Sequence, residues 1–81
     1  MPQPLPAKPE SPAPAAIREA RLAAGLTQTE AALTVRASLR AWQQWEAGDR
    51  AMPPGLFELF MLKTGQWLLH GPALPPLAKH A

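Results

Sequence analysis

The sequence predicts a small all-α domain, a bundle of four to five helices. No stretch alternates apolar and polar residues with the two-residue period of a strand, whereas apolar residues in the middle of the chain recur at helical spacing. Capping residues and glycines divide this middle part into segments of helical length. A chain of 81 residues is long enough for one such domain.

Both ends of the chain are rich in proline. The first end contains Pro2, Pro4, Pro6, Pro9 and Pro12, and the last contains Pro72, Pro75 and Pro76. Proline at this density removes backbone donors and blocks both helix and sheet hydrogen bonding. We therefore expect a flexible arm over residues 1–13, a domain over residues 14–70, and a flexible tail over residues 71–81.

Helix one is expected over residues 14–24. Pro14 suits its first turn, where the missing N–H has no partner to lose, and Gly25 suits a left-handed end. Three residues at helical spacing would face the core: Ile17, Ala20 and Ala24.

Helix two is expected over residues 28–35. Thr27 is its N-cap, and Glu30 three residues later completes a capping box. Small and branched apolar residues form its buried side: Ala31, Ala32 and Val35.

Helix three is expected over residues 39–47, with Ser38 as its cap and Gly48 at its end. Trp42 and Trp45 lie three residues apart and share one face. They could stack on nucleic-acid bases, but this spacing on an apolar face favours a place in the core.

Helix four is expected over residues 54–64, stopped by Gly65, and residues 66–70 are a candidate for a last short turn. This helix is too apolar to have only one buried face. Its large apolar residues are Leu56, Phe57, Leu59, Phe60 and Leu62.

The apolar end of the chain has two interpretations. Its residues could simply close the core of the monomer, or some of them could form a two-fold dimer interface. We favour the dimer, because so many large apolar groups exceed what one small core requires. The candidate interface residues are Phe57, Phe60, Trp67, Leu68 and Leu69.

Composition argues against several classes of protein. There is no cysteine, and His70 and His80 are too few for a convincing metal site, so no metal and no cofactor are expected. Without clustered histidine and carboxylate or a glycine-rich phosphate loop, an enzyme is not expected. No apolar run approaches the roughly 20 residues of a membrane helix, and no signal segment follows Met1, which predicts a cytoplasmic protein. No small-molecule ligand is expected.

Three pieces of sequence occur in order and without a gap between residues 17 and 53. They are Ile17-Arg18-x-x-Arg21, Gly25-Leu26-Thr27-Gln28, and Trp45-Glu46-x-Gly48-x-Arg50. This stretch, under half of the chain, resembles the Cro/cI-type (Xre-like) helix-turn-helix repressors of phages, plasmids and bacteria. The chain as a whole is similar to small plasmid-borne repressors of the KorC type.

The resemblance implies a lambda-repressor-like fold and a repressor that binds double-stranded operator DNA. Such proteins act as homodimers on pseudo-palindromes, with half-sites about 34–36 Å apart and helix three in the major groove. The residues placed for base contact are Leu39, Arg40, Gln43 and Gln44. The residues placed for phosphate contact are Thr27, Gln28, Arg36, Ser38 and Arg50. Without the flanking motif, the two glutamines would be read as a solvated face.

The family pattern also implies an ion pair between Arg21 and Glu46, joining helix one to the end of helix three. Two positions depart from the pattern. Arg36 stands where the family usually has glycine in the turn, so either the turn is built differently or Arg36 accepts a strained conformation. Leu39 replaces the usual polar residue at the start of helix three, where it could still contact a thymine methyl group.

A function of a different class remains open. An antitoxin or adaptor could keep the helix-turn-helix fold and use its apolar tail to bind a protein partner. A toxic protein that co-purifies with the chain would favour this alternative.

Overall fold

The computed structural model describes residues 10–68, and these residues form four α-helices without a strand. The helices are α1 (Pro14–Ala23), α2 (Gln28–Thr34), α3 (Leu39–Ala47) and α4 (Pro54–Lys63). The all-α prediction is therefore confirmed for this part of the chain. The expected ends of three helices were one residue too long, because Ala24, Val35 and Thr64 are C-caps.

The described range leaves out parts of the predicted organisation. Residues 10–13 of the N-terminal arm precede α1 without helical structure. The expectations for residues 1–9, for Leu69 and for the tail over residues 71–81 lie outside the described residues. Within residues 10–68, no helix has the length and apolar character needed to cross a membrane.

Side chains of the predicted caps begin α2 and α3. The Thr27 hydroxyl accepts from the Glu30 backbone N–H at 3.1 Å, and the Glu30 carboxylate accepts from the Thr27 N–H at 2.9 Å. The Ser38 hydroxyl accepts from the Ala41 N–H at 3.0 Å. These contacts satisfy helix-start donors that no backbone carbonyl can reach, so the sequence alone defines where both helices begin.

All four helices end with the same pair of backbone hydrogen bonds, a Schellman motif around one left-handed residue. In α2 the Ala37 N–H donates to the Ala32 carbonyl at 2.8 Å, and the Arg36 N–H donates to the Leu33 carbonyl at 3.0 Å. The left-handed residues, with their φ angles, are Gly25 (73°), Arg36 (59°), Gly48 (83°) and Gly65 (76°). The turn after α2 therefore has the geometry that glycine usually provides, but it is built with arginine.

The core lies where α3 packs against α1 and α2, with α2 also touching α4. Trp42 is fully buried and Trp45 is 6% exposed, which confirms that both tryptophans are core residues. The Trp42 ring lies 5.1 Å from the ring of Phe60 and 5.6 Å from that of Trp45. The smaller core residues are Ile17, Ala20, Ala31, Ala32 and Val35.

Phe60 corrects the proposed dimer interface. It is fully buried in the monomer against Trp42, so it cannot contact a second subunit. Met52, in the loop between α3 and α4, is fully buried as well, although nothing in its sequence context predicted it. The periodicity of apolar residues in the sequence does not show that these two side chains fill the monomer core.

The segment after α4 folds back and forms a hydrogen bond to α1. The Gln66 side-chain amide donates to the Ala20 carbonyl at 3.0 Å. The Trp67 ring meets Phe57 edge to face at 5.6 Å, and 45% of Trp67 stays exposed. Leu68 follows at 76% exposed. An apolar surface of Phe57, Trp67 and Leu68 therefore remains at this end of the fold.

Candidate nucleic-acid interface

Helix α3 has one buried side and one outward side. Trp42 and Trp45 anchor it in the core. Of the four residues predicted to contact bases, Leu39, Arg40 and Gln43 are exposed and Gln44 is half-buried. Arg40, Gln43 and Gln44 line one shallow groove on this side, together with Ala47 and Asp49. The structure thus brings three of the four predicted base-contact residues together in one groove, and Leu39 is exposed at the start of the same helix.

The turn from α2 to α3 leads directly into this surface. Residues 35–38 join the two helices, with Ser38 capping α3 and Arg36 exposed in the left-handed conformation. The Lys63 ammonium group, reaching over from α4, donates to the Thr34 carbonyl at 3.0 Å and closes the end of α2. The two residues are 29 positions apart, so no local pattern in the sequence predicts this contact.

Three arginines lie on α3 or in the segments next to it along the chain. Arg36, Arg40 and Arg50 are exposed, and none forms an ion pair within residues 10–68. Asp49 lines the groove beside Arg40, so the groove itself has mixed charge. Exposed guanidinium groups without a protein partner are available to anionic phosphate or to base acceptors.

Beneath this surface, Glu46 connects three helices. Its carboxylate accepts from the Arg21 Nε at 2.6 Å and from the Arg21 Nη2 at 3.1 Å, which is a two-point ion pair between α1 and α3. It also accepts from the Trp42 Nε1 at 2.6 Å and from the Gln28 amide nitrogen at 3.0 Å. The structure therefore brings together the two residues of the implied ion pair and adds two further donors.

The surroundings of Glu46 shift its acidity. Burial raises the pKa of the Glu46 carboxyl, but the hydrogen bonds from Arg21, Trp42 and Gln28 together lower that pKa by more, leaving it below its ordinary value. The hydrogen bond to Glu46 raises the pKa of Arg21, although burial opposes this. The Arg21 and Glu46 side chains are only 13% and 8% exposed, so the pair is well shielded from solvent. Glu46 is consequently ionised at neutral pH.

Gln28 is placed differently from the simple phosphate donor expected of it. Its amide nitrogen is bound to Glu46, and its amide oxygen accepts a long hydrogen bond from the Gln43 amide nitrogen at 3.4 Å. Thr27 and Ser38 have their hydroxyl oxygens engaged as helix caps. These three side chains therefore perform structural roles in the free protein, whatever contacts they add in a complex.

Two of the Glu46 contacts escaped the sequence-based reasoning. The Trp42 contact spans four residues along α3, and that spacing alone could have predicted it. The Gln28 contact joins residues 18 positions apart on different helices, so only the packing of α2 on α3 creates it.

In comparisons with known proteins, no protein-family model matches the chain, and no curated protein matches its sequence.

Proposed function

We propose that this protein is a sequence-specific DNA-binding transcriptional repressor of the helix-turn-helix class. The observation that carries the proposal is the outward side of α3, where Arg40 and Gln43 are exposed while Trp42 and Trp45 hold the opposite side in the core. A helix that is anchored on one side and polar on the other can lie in a major groove without unfolding its scaffold.

The side chains on α3 suit contact with base edges. Arginine can pair bidentately with guanine O6 and N7, and glutamine with adenine N6 and N7. Arg40 and Gln44 are four residues apart and project together from the helix. Leu39 at the start of α3 is 40% exposed, which suits contact with a thymine methyl group.

Arg36 and Arg50 flank α3 on either side along the chain, and both are exposed. In a complex they would lie near the phosphate backbone, where each contact releases condensed counterions and makes binding salt-dependent. These contacts orient the protein on DNA, whereas sequence preference comes from α3.

The repressor would act as a homodimer on a pseudo-palindromic operator. A single α3 contacts too few base pairs for useful specificity, and a two-fold pair reads two half-sites. Exposed Trp67 and Leu68 beside Phe57 provide an apolar surface for the second subunit. Bound at a promoter, such a dimer would block transcription.

Selection of binding sites from random duplexes tests this function. We expect the wild-type protein to enrich one sequence with two-fold symmetry. Arg40→Ala should weaken binding to that sequence by about 1–3 kcal/mol and relax the preference at one base pair in each half-site. Binding to selected and random duplexes, measured by fluorescence anisotropy at fixed salt, provides the comparison.

An equal loss of affinity on selected and random DNA would assign Arg40 to phosphate contact rather than base recognition. Leu22→Ala is a suitable control, since Leu22 is 55% exposed on α1 and lies outside the proposed surface. Failure of the wild-type protein to enrich any sequence would refute the proposed function itself.

A further inference from the structure

We propose that Gln28 is a positioning residue that orients the side-chain amide of Gln43 and thereby sets which base Gln43 prefers. The inference rests on the proposed DNA-binding function, which it deepens by assigning a specificity determinant outside α3. Gln28 lies on α2, and nothing in the proposal requires it to touch DNA.

The physical basis is a series of hydrogen bonds that links three side chains from the interior to the surface, namely Glu46, Gln28 and Gln43. Glu46 is held by Arg21 and Trp42 and is almost fully shielded. The Gln28 amide nitrogen donates to Glu46 at 3.0 Å, and the Gln43 amide nitrogen donates to the Gln28 oxygen at 3.4 Å. Gln43 is exposed, so the series ends on the surface that would face the DNA.

The chemistry of the anchor fixes the direction of this series. An ionised carboxylate accepts hydrogen bonds and cannot donate one. Gln28 must therefore turn its amide nitrogen toward Glu46, which leaves its oxygen toward Gln43. Of the two ends of the Gln43 amide, only the nitrogen can donate to that oxygen. A free glutamine could present either end of its amide, but Gln43 is biased toward one orientation.

The favoured orientation of Gln43 leaves its amide oxygen and one N–H free. This pair is complementary to adenine, which offers the N6 amino donor and the N7 acceptor in the major groove. Guanine offers two acceptors, O6 and N7, and would leave the glutamine oxygen without a donor. The bias at Gln43 therefore predicts adenine over guanine at the base pair it reads.

Because the hydrogen bond between Gln43 and Gln28 is long, it favours one orientation of the Gln43 amide without fixing it. Removing the Gln28 amide should free Gln43 to reverse and accept guanine as well. A phosphate contact from Gln28 would behave differently, because losing it weakens binding to every sequence alike.

Gln28→Met tests the proposal, since methionine keeps the length of the side chain and removes the amide. In the wild-type protein we expect roughly tenfold preference for adenine over guanine at the position read by Gln43. We expect that preference to fall to within about twofold in Gln28→Met, with other positions unchanged. Gln43→Met identifies the position, and the double variant should match Gln43→Met alone, because Gln28 acts only through Gln43.

Gln44→Met is the matched control, because the Gln44 side chain has no hydrogen bond within the described residues and should affect a different base pair. A uniform loss by Gln28→Met on all sequences, with a shallower salt dependence, would overturn the inference and make Gln28 a phosphate contact. An unchanged adenine preference would overturn it as well. If the wild-type protein enriches no sequence, both the proposed function and this inference fail. If the wild type enriches a sequence and Gln28→Met keeps the same preferences, only this inference fails.

A measurement on the free wild-type protein covers the case in which Gln28→Met does not fold. Nuclear Overhauser contacts should connect the side-chain amide protons of Gln43 to the methylene protons of Gln28. Amide protons of Gln43 that show no such contact would contradict the proposed orientation.

Discussion

At the residue scale, Arg36 has an energetically unfavourable backbone conformation at an exposed position. Three of the four helix ends use glycine in the left-handed conformation, and α2 alone uses arginine, with φ of 59°. For a residue with a Cβ atom this conformation costs roughly 1–2 kcal/mol. A charge beside the start of α3 is a physical reason to retain arginine, because glycine would form the turn with less strain.

Arg36→Gly should therefore stabilise the fold and weaken DNA binding at the same time. We expect the free energy of unfolding to rise by up to about 1 kcal/mol, since glycine relieves strain but gains entropy in the unfolded chain. We expect the salt dependence of DNA binding to become shallower by about one counterion. Urea unfolding and a salt titration of DNA affinity measure the two effects.

Gly25→Ala supplies the reverse control for the backbone effect. Gly25 has φ of 73°, and a Cβ added there meets nothing within 4 Å, so only the backbone conformation opposes alanine. This variant should be destabilised by about 1 kcal/mol. An Arg36→Gly variant with wild-type salt dependence would remove Arg36 from the phosphate contacts.

At the scale of the helices, Glu46 is the contact that unites α1, α2 and α3. Arg21 and Gln28 reach it from the first two helices, and Trp42 reaches it from within the third. Glu46→Ala should cost roughly 3–5 kcal/mol, because it leaves a shielded guanidinium without its partner. We expect stability to fall first and DNA affinity to follow, as thermal unfolding and binding below the melting temperature would show. A variant that melts like the wild type but fails to bind would move Glu46 from the scaffold to the interface.

The acidity of Glu46 gives this contact a pH dependence with a defined sign. Its pKa is lowered in the folded protein, so folding favours the ionised form. The stabilisation is therefore fully present above the unfolded pKa of about 4.3 and is lost as the pH falls through the lower folded value. We expect the free energy of unfolding of the wild type, measured in urea, to fall below about pH 4. In Glu46→Gln the free energy of unfolding should change less with pH over the same range. An equal change with pH in the two proteins would contradict this.

At the scale of the whole molecule, the apolar surface of Phe57, Trp67 and Leu68 is the candidate for self-association. Trp67 and Leu68 are exposed on this surface, whereas Phe60, which the sequence also placed at the interface, belongs to the core. Small domains bury a limited fraction of their surface and gain stability from a second subunit. The same surface would serve a protein partner if the chain were an adaptor, so the oligomeric state separates the two alternatives.

Trp67→Ser should convert a dimer into a monomer. We expect the wild-type protein to sediment as a dimer at micromolar concentration, and the variant to sediment as a monomer with weakened operator binding, because one α3 then contacts one half-site. Leu22→Ser is the matched control, since it removes an exposed leucine from α1. A wild-type monomer at these concentrations would refute the proposed dimer.

The sequence by itself determined the features that depend on neighbours along the chain. The starts of α2 and α3 follow from Thr27, Glu30 and Ser38, whose side chains satisfy backbone donors three residues away. The glycine helix ends and the burial of the two tryptophans on α3 follow equally from local geometry and periodicity. Such contacts need no knowledge of how the helices pack.

Only the tertiary structure decided what happens between helices. It buried Phe60 and Met52, selected the strained turn at Arg36, and turned Gln28 toward Glu46. Each outcome depends on the distance and angle between elements far apart in sequence, and many side-chain arrangements fit the same pattern of apolar residues. Close packing removes that freedom, because a carboxylate shielded from water needs donors around it and a buried ring must fill the space left to it.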